Sequence, residues 1–369
     1  MHIEQITCTD FRNISSACVS FSRETSALIG ENAQGKTNLL EAVYLLACGK
    51  SFRASSLNHL ILHEKNTATI SARISGDGIP FQLTMTLDRA GTRQIFKNGV
   101  RLSKLSEFLG LFRVVLFCPE HLGLVKDGPA KRRSFIDGAI CQIRPYYASL
   151  LNEFKKVEAQ RSALLKISQK NPVPREQFAV WDERLAKVSQ RIAFLRADYI
   201  RRLKETAPEH FLRISGGTET LSLFYESDVY QEGLSPEETE KKYLELLESG
   251  FSSDQKYGVT QRGVHRDDLL LKINLFPARV YSSQGQQRSA VLALKLAEGD
   301  ISFAMTGQSP VVLLDDVLSE LDEKRRDYIT AGLKEKQVIL TGCDPAQFGF
   351  VKEKIFVEKG RFSRENDLL

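Results

Sequence analysis

The sequence predicts an α/β fold interrupted by a mainly helical insertion, and three observations predict it. Near the N-terminus a short apolar run, Ala27-Leu28-Ile29, enters a glycine-bearing turn and leaves it as a helix over about Asn38 to Ala47. Near the C-terminus, Pro310-Val-Val-Leu-Leu reads as a fully buried strand closed by Asp315 and Asp316. Between them, from about Tyr146 to Pro208, glycine becomes scarce and Glu, Lys, Arg, Leu and Ala take over. Continuous apolar runs bounded by turns mark buried strands, and a heptad-like repeat marks packed helices. The domain organisation that follows is 1–140 and 255–369 as two parts of one α/β domain, with 141–254 as the helical lobe.

Bulk properties frame this reading. A chain of 369 residues, 42% hydrophobic and 26% charged, has room for two or three domains of ordinary globular composition. No run approaches the 18 or so apolar residues of a membrane-spanning helix. The start, MHIEQITCTDFRN, lacks the basic, apolar and small-residue segments of a signal peptide, so a cytoplasmic location is expected. The six cysteines, at 8, 18, 48, 118, 141 and 343, show no zinc-ligand spacing and are expected as reduced thiols. A formal charge of +5 permits a nucleic-acid partner without arguing for one.

In chain order, Ile3 to Thr7 and Cys18 to Phe21 read as strands. Thr67 to Ile74, Phe81 to Leu87 and Thr92 to Lys97 read as antiparallel strands joined by Gly-Asp-Gly and Arg-Ala-Gly turns, and Lys97-Asn98-Gly99-Val100 is a hairpin signal. Arg113 to Phe117 is a buried strand. In the middle, Trp181, Leu185, Val188, Ile192, Leu195 and Tyr199 step by 4, 3, 4, 3, 4, a heptad seam. Leu150, Phe154, Val157, Leu164 and Leu165 form a matching stripe, and NPVPRE lies between the two, so an antiparallel helical hairpin is expected. Leu221 to Tyr225 is a strand, and Ser235-Pro236-Glu237 opens a helix ending near Gly250. The α/β pattern then returns with a strand at Leu269 to Ile273, a helix from Gly285 to Ala297, and a strand at Gln337 to Gly342.

The chemistry begins at Gly30-Glu31-Asn32-Ala33-Gln34-Gly35-Lys36-Thr37, which fits the GxxxxGK[ST] pattern of a phosphate-binding P-loop. The glycines let successive backbone N–H groups face the phosphates, and the helix that follows presents its positive end. Lys36 adds a full charge and the Thr37 hydroxyl a ligand for Mg²⁺. Asp315, at the end of its apolar strand, is the expected second metal group, and Asp316 the group that activates water. ATP and Mg²⁺ are the expected cofactors. Thr37 and Asp315 stand nearly 280 residues apart, which leaves room for a large insertion.

Ser283-Gln284-Gly285-Gln286-Gln287-Arg288 resembles the LSGGQ signature of ABC-type ATPases, with Gln284 in place of the first Gly, and Ser319-Glu320-Leu321-Asp322 resembles their D-loop. Phe11-Arg12-Asn13 resembles the FRN element of SMC-like ATPases. Pro119-Glu120, Leu122, Leu124-Val125, Gly128-Pro129, Arg132-Arg133, Phe135 and Asp137 resemble the PEDLxLVxGxPxxRRxFLD stretch of the RecF family. Gly263 to Leu269 resembles that family's GPHRDDL, and Ser51-Phe52-Arg53 its SFR. Val264, His121 and Asp127 depart from the family pattern at loop positions, outside the phosphate-binding residues.

The resemblance covers the whole chain. It implies an ABC/SMC-type P-loop ATPase head with an inserted helical domain. It implies an ATP-dependent homodimer in which Ser283, Gly285 and Gln286 close on the partner's nucleotide, and in which Arg12 and Asn13 line the site. It implies binding to gapped and single-stranded–double-stranded DNA, RecR of the RecO pathway as a partner, recombinase loading, and no membrane. No switch histidine follows the Val338 to Leu340 strand, where Thr341 and Asp344 stand instead, so slow, DNA-dependent hydrolysis is expected. Arg53, Lys131, Arg132 and Arg133, with Arg191, Arg196, Arg201 and Arg202 on the helical arm, are the expected DNA contacts. The alternative is the nucleotide-binding subunit of an ABC transporter, which shares the P-loop, signature and D-loop but needs neither the helical insertion nor the FRN start.

Overall fold

The computed structural model describes residues 1–76, 78–332 and 335–364. The chain forms two compact units. The first comprises Met1–Leu122, Glu209–Glu219 and Arg288–Leu369; the second comprises Gly123–Pro208 and Thr220–Gln287. Residue 77, in the middle of the Gly-Asp-Gly turn, and residues 365–369, the end of the C-terminal segment, lie outside the described residues.

The first unit opens with strands β1 (His2–Phe11), β2 (Ile14–Ser20), β3 (Thr25–Ile29), β4 (Thr67–Gly76), β5 (Ile79–Asp88), β6 (Arg93–Lys97), β7 (Val100–Leu102) and β8 (Val114–Phe117). One six-stranded sheet is antiparallel, in the order β2-β1-β4-β5-β6-β7. Ile3 and Ile6 are both buried although three residues apart, and a bulge between Ile3 and Gln5 supplies the phase change that this requires. Asn98 and Gly99, at φ 49° and 79°, make the hairpin turn into β7.

In the second unit, β9 (Leu221–Glu226), β10 (Asp268–Ile273) and β11 (Phe276–Pro277) make a three-stranded sheet in the order β11-β10-β9. Back in the first unit are β12 (Val311–Leu314), β13 (Val338–Gly342), β14 (Glu353–Glu358) and β15 (Arg361–Arg364). The other six-stranded sheet runs β15-β14-β3-β13-β12-β8 and is parallel except for the edge strand β15. Every residue of β8, β12 and β13 is buried, which is why these runs show no polar alternation. The helix Lys36–Cys48 touches β1, β4 and β5 of one sheet and β8 and β13 of the other. Leu39, Leu40, Ala42, Val43, Leu45 and Leu46 are therefore buried all round, and the helix stops at Gly49 in the left-handed conformation.

The second unit carries the helical hairpin as Tyr147–Ser168 and Glu176–Ile214, the last turns of the longer helix belonging to the first unit. Arg161 bonds Asp182 and Arg144 bonds Asp198, later positions on one side pairing with earlier ones on the other, so the two helices run antiparallel. The heptad seam needs correcting. Leu185, Val188, Ile192 and Tyr199 are buried, but so are Asp182, Ser189 and Arg196, while Trp181 and Leu195 are partly exposed. The buried stripe is wider than an a/d seam because it holds a polar layer. Arg161 is fully buried and bonds Asp182 at 2.6 Å, Asp254 at 2.6 Å and Thr260 at 2.9 Å. Arg196 grips Asp137 with two bonds and reaches Asp267 at 2.8 Å.

The domain boundaries expected at residues 140 and 254 lie instead at 122 and 287. The reason is electrostatic as much as apolar. Arg132, on the helix Pro129–Ile143, forks onto both oxygens of Asp268 at 2.7 and 2.8 Å, and Asp137 of the same helix is held by Arg196. The motif stretch from Leu124 to Asp137 and that from Gly263 to Leu269 are thereby built into the helical unit, while Pro119 to Leu122 stay with the first. The helix Pro236–Ser249 starts at the capping box of Ser235 and Glu238. Removing one partner of a buried ion pair strands the other, at a cost of about 3 kcal/mol or more. Arg161→Met is expected to lower the unfolding free energy by about that amount in urea titration; a loss below ~1 kcal/mol would show that Asp182 and Asp254 do not depend on it.

Candidate nucleotide-binding site

β3 delivers the P-loop at its C-terminal end, beside the C-terminal ends of β12 and β13, where open parallel sheets bind ligands. Gly30 donates its N–H to Gly342 O at 3.3 Å, and a Cβ built on Gly30 would lie 2.3 Å from Val357 O, so no larger residue fits. Ala33 at φ 64° and Gly35 at φ 121° fold the loop back onto the helix start. Glu31, Asn32 and Ala33 are exposed at its lip. Gln34 is clamped from outside: its carbonyl accepts from Gly360 N at 2.8 Å and from Asn13 Nδ2 at 3.2 Å, and its side chain accepts from Lys359 N at 2.7 Å. Asn13 thus supports the loop from behind, braced in turn by Asn38 Nδ2 at 2.8 Å.

Lys36 is 6% exposed. Its ammonium donates to Gly30 O at 2.5 Å and Glu31 O at 2.8 Å and lies 3.4 Å from the Cys343 thiol. A buried full positive charge held by neutral carbonyls is a site that fits a phosphate anion. Across the cleft, Thr37 Oγ1 donates to Asp315 Oδ1 at 2.8 Å, and Thr341 Oγ1 donates to the same oxygen at 3.0 Å. Burial raises the Asp315 carboxyl above its ordinary value, against the opposing pull of these two donors. A hydroxyl and a carboxylate are hard oxygen donors of the kind Mg²⁺ takes alongside phosphate oxygens. Asp316, half-buried, has φ 53°. Its N–H donates to Thr341 Oγ1 at 2.9 Å and its carbonyl accepts from Ser319 Oγ, in the D-loop-like segment, at 2.9 Å.

Arg12 and Arg53 converge on Glu41, a fully buried carboxylate one turn along the P-loop helix. Arg12 makes two bonds of 2.9 Å to it and Arg53 one of 3.0 Å, and Ser51 donates a further bond. Arg53 also reaches Asn38 Oδ1 at 2.5 Å. Burial pushes the Glu41 carboxyl up, but the bonds from Arg12 and Ser51 and the charge of Arg53 outweigh it and hold the group below its ordinary value. The structure therefore sets Arg12 and Arg53 on one buried carboxylate beside the P-loop.

Several other expected DNA contacts are held as well. Arg132 and Arg196 are 5% and 3% exposed and committed to Asp268, Asp137 and Asp267, so neither is available to a phosphate backbone. Arg133 is half-buried and donates to Asp267 O at 2.7 Å. Arg201 and Arg202 pair with Asp198. Lys131 and Arg191 are exposed.

Ser283 belongs to the second unit, exposed at the start of the helix Gln284–Thr306. Its N–H donates to Gln286 Oε1 at 2.7 Å and its hydroxyl accepts from Gln286 N at 3.2 Å. This capping box shapes Ser283, Gly285 and Gln286 as a rigid helix start. Sequence reasoning missed Glu41, Asn38 and the Lys359-Gly360 turn. Glu41 carried a signal, an acid inside an otherwise apolar helix; the turn carried none, since its role depends on β14 pairing beside β3.

Comparison with known proteins gives the following. The family model "RecF/RecN/SMC N terminal domain" matches residues 2–360. The DNA replication and repair protein RecF of Alkaliphilus oremlandii is 37% identical over 342 residues, 92% of this chain and 93% of that one. RecF of Listeria monocytogenes is 39% identical over 337 residues, 91% of each chain. Among solved structures, the recombination mediator RecF with ATP superposes with a TM-score of 0.92 at 32% identity, covering 98% of this chain and 97% of that one. An SMC head bound to the C-winged helix domain of ScpA shares the fold, with a TM-score of 0.57 at 16% identity over 99% of this chain and 97% of that one.

Because the Glu41 value lies below 4.5 in the folded chain, its stabilisation is complete above that pH and is lost as pH falls below it. Glu41→Gln is expected to cost about 2 kcal/mol at neutral pH. The gap between variant and wild type should narrow in thermal unfolding as pH is lowered below the ordinary carboxylate range; an equal gap at neutral and acid pH would contradict an ionised Glu41.

Proposed function

The chain belongs to the RecF family within the RecF/RecN/SMC class, and on that premise we propose that it is a recombinational-repair ATPase that closes on DNA as an ATP-bound homodimer. The observation that carries this reading is the 2.8 Å bond between Thr37 and Asp315, which joins a P-loop to a second acid from the far end of the chain. The RecF–ATP relative of the RecFOR pathway, alike over nearly the whole length, supports ATP as the nucleotide. No described helix is long and apolar enough to cross a membrane. With the family settled, nothing favours the transporter alternative.

In this reading ATP's phosphates approach Lys36, whose ammonium leaves the Gly30 and Glu31 carbonyls for the β- and γ-phosphates. The N–H groups at the start of the helix Lys36–Cys48 cradle them. Thr37 and Asp315 would hold Mg²⁺, which when bound neutralises charge building on the phosphates. Asp316 accepts the proton of the attacking water. A second copy supplies Ser283, Gly285 and Gln286, whose helix start turns its positive end toward the γ-phosphate. Thr341, Cys343 and Asp344 stand where a switch histidine would assist, which suits a slow, DNA-dependent timing reaction. Of the expected contacts, the exposed Lys131, Arg191 and Arg201 and the partly available Arg133 and Arg202 can meet the DNA backbone, independent of sequence. RecR is the expected protein partner, and loading of a recombinase at gapped DNA the outcome.

Light scattering with ATP and Mg²⁺ tests the switch. Lys36→Ala should lose ATP binding and dimerisation together. Asp316→Asn should bind ATP normally, hydrolyse at least ~100-fold more slowly and accumulate dimer. Dimers that dissociate as fast in Asp316→Asn as in the wild type would sink the switch. DNA affinity should fall at least ~10-fold between about 50 and 200 mM salt; a flat response would remove the backbone-contact account.

A further inference from the structure

We propose that Thr341 is a positioning residue of this ATPase: its hydroxyl couples Asp315 to Asp316 and fixes the backbone conformation from which the Asp316 carboxylate acts. This rests on the reading of Asp316 as the group that activates water.

Asp316 sits at φ 53°, a left-handed conformation that aspartate adopts more readily than most residues but that its contacts must still fix. Two hydroxyls impose it here. Ser319 bonds the Asp316 carbonyl from the following segment, and Thr341 bonds its N–H from the neighbouring strand. The parallel pairing of Leu314 with Leu340 brings the next residues of the two strands, Asp315 and Thr341, side by side. Of the two contacts, only the Thr341 one is tied to the metal-binding side. Its single hydroxyl accepts from Asp316 N at 2.9 Å and donates to Asp315 Oδ1 at 3.0 Å, so both of its hydrogen-bonding directions are spent on the acid pair.

The sequence context makes the hydroxyl stand out. β13 runs Val338-Ile339-Leu340, entirely buried, and Thr341 is 2% exposed. Valine has the same shape and an equal or better strand preference, with no hydroxyl to satisfy in the interior. A threonine at this point is accounted for by what its oxygen does. Asp315 already receives the Thr37 hydroxyl, so a second donor is not needed to hold that carboxylate alone. What Thr341 adds is a fixed relation between Asp315 and Asp316, so that the group holding the metal and the group facing water move as one.

The test compares Thr341→Val with Thr341→Ser in the full-length protein, beside Asp316→Asn. ATP affinity is measured with and without Mg²⁺, kcat and KM by steady-state turnover, and the lifetime of the ATP-bound dimer by light scattering after dilution. Thr341→Val is expected to fold, to bind ATP without Mg²⁺ within ~2-fold of the wild type, and to lose at least ~10-fold in kcat with a correspondingly longer-lived dimer. Thr341→Ser should recover kcat to within ~3-fold, since it restores the hydroxyl. A Thr341→Val protein with unchanged kcat, while Asp316→Asn is slow, overturns the proposal and leaves the function standing. So does a loss of kcat matched by an equal loss of metal-free ATP affinity or not recovered by serine, which marks a structural role. Unchanged kcat in Asp316→Asn overturns both readings together.

Discussion

The bond from Thr37 to Asp315 is the constraint on which the rest of the structure turns. It joins residues 278 apart in sequence and exists only if β3, β13 and β12 lie parallel and in register. Parallel neighbours need long crossovers, and this chain places its whole second unit within the one from β8 to β12. The P-loop helix answers the same demand by being apolar over most of its circumference beyond its first turn, Glu41 excepted, because it lies between two sheets rather than on one. The last hairpin completes the arrangement: β14 pairs beside β3 and its turn clamps Gln34. The first and last strands of the unit therefore secure one loop.

Burial of charge is the second organising theme. Arg161, Arg196, Arg132 and Glu41 are all removed from water and all multiply paired. Such clusters add little net stability over an apolar core, yet breaking one is costly, so they favour one packing over its alternatives. They also consume basic residues. Of the eight basic residues expected to meet DNA, Arg132 and Arg196 are spent in this way inside the second unit.

Legibility followed locality. Gly30 to Thr37 and the Val311 to Leu314 strand were readable because each is a short segment whose residue types follow from one local demand. The helix start at Ser235-Pro236-Glu237 and the Asn98-Gly99 turn were readable for the same reason. The heptad arithmetic found the hairpin but misjudged its interior, because Asp182, Ser189 and Arg196 look like surface residues until Asp254, Thr260 and Asp267 from distant segments meet them. The domain boundaries failed likewise: Arg132 and Asp268 are 136 residues apart, and nothing near either one announces the other. Arg12 was expected at the nucleotide and Arg53 at DNA; no local signal announced that both also bond Glu41.

The central claim is that this chain builds only half of each nucleotide site and a second copy the other half. Mixing Lys36→Ala with Ser283→Arg, each inactive alone, tests it most directly. In a shared-site dimer the hybrid has one site with both halves intact, the P-loop from the Ser283→Arg subunit and the helix start from the Lys36→Ala subunit. Measured ATP turnover should reappear on mixing and approach roughly half of the wild-type rate per subunit, since only the hybrid dimer holds a complete site and it holds one of two. No recovery from two folded proteins that both remain soluble would contradict the shared site.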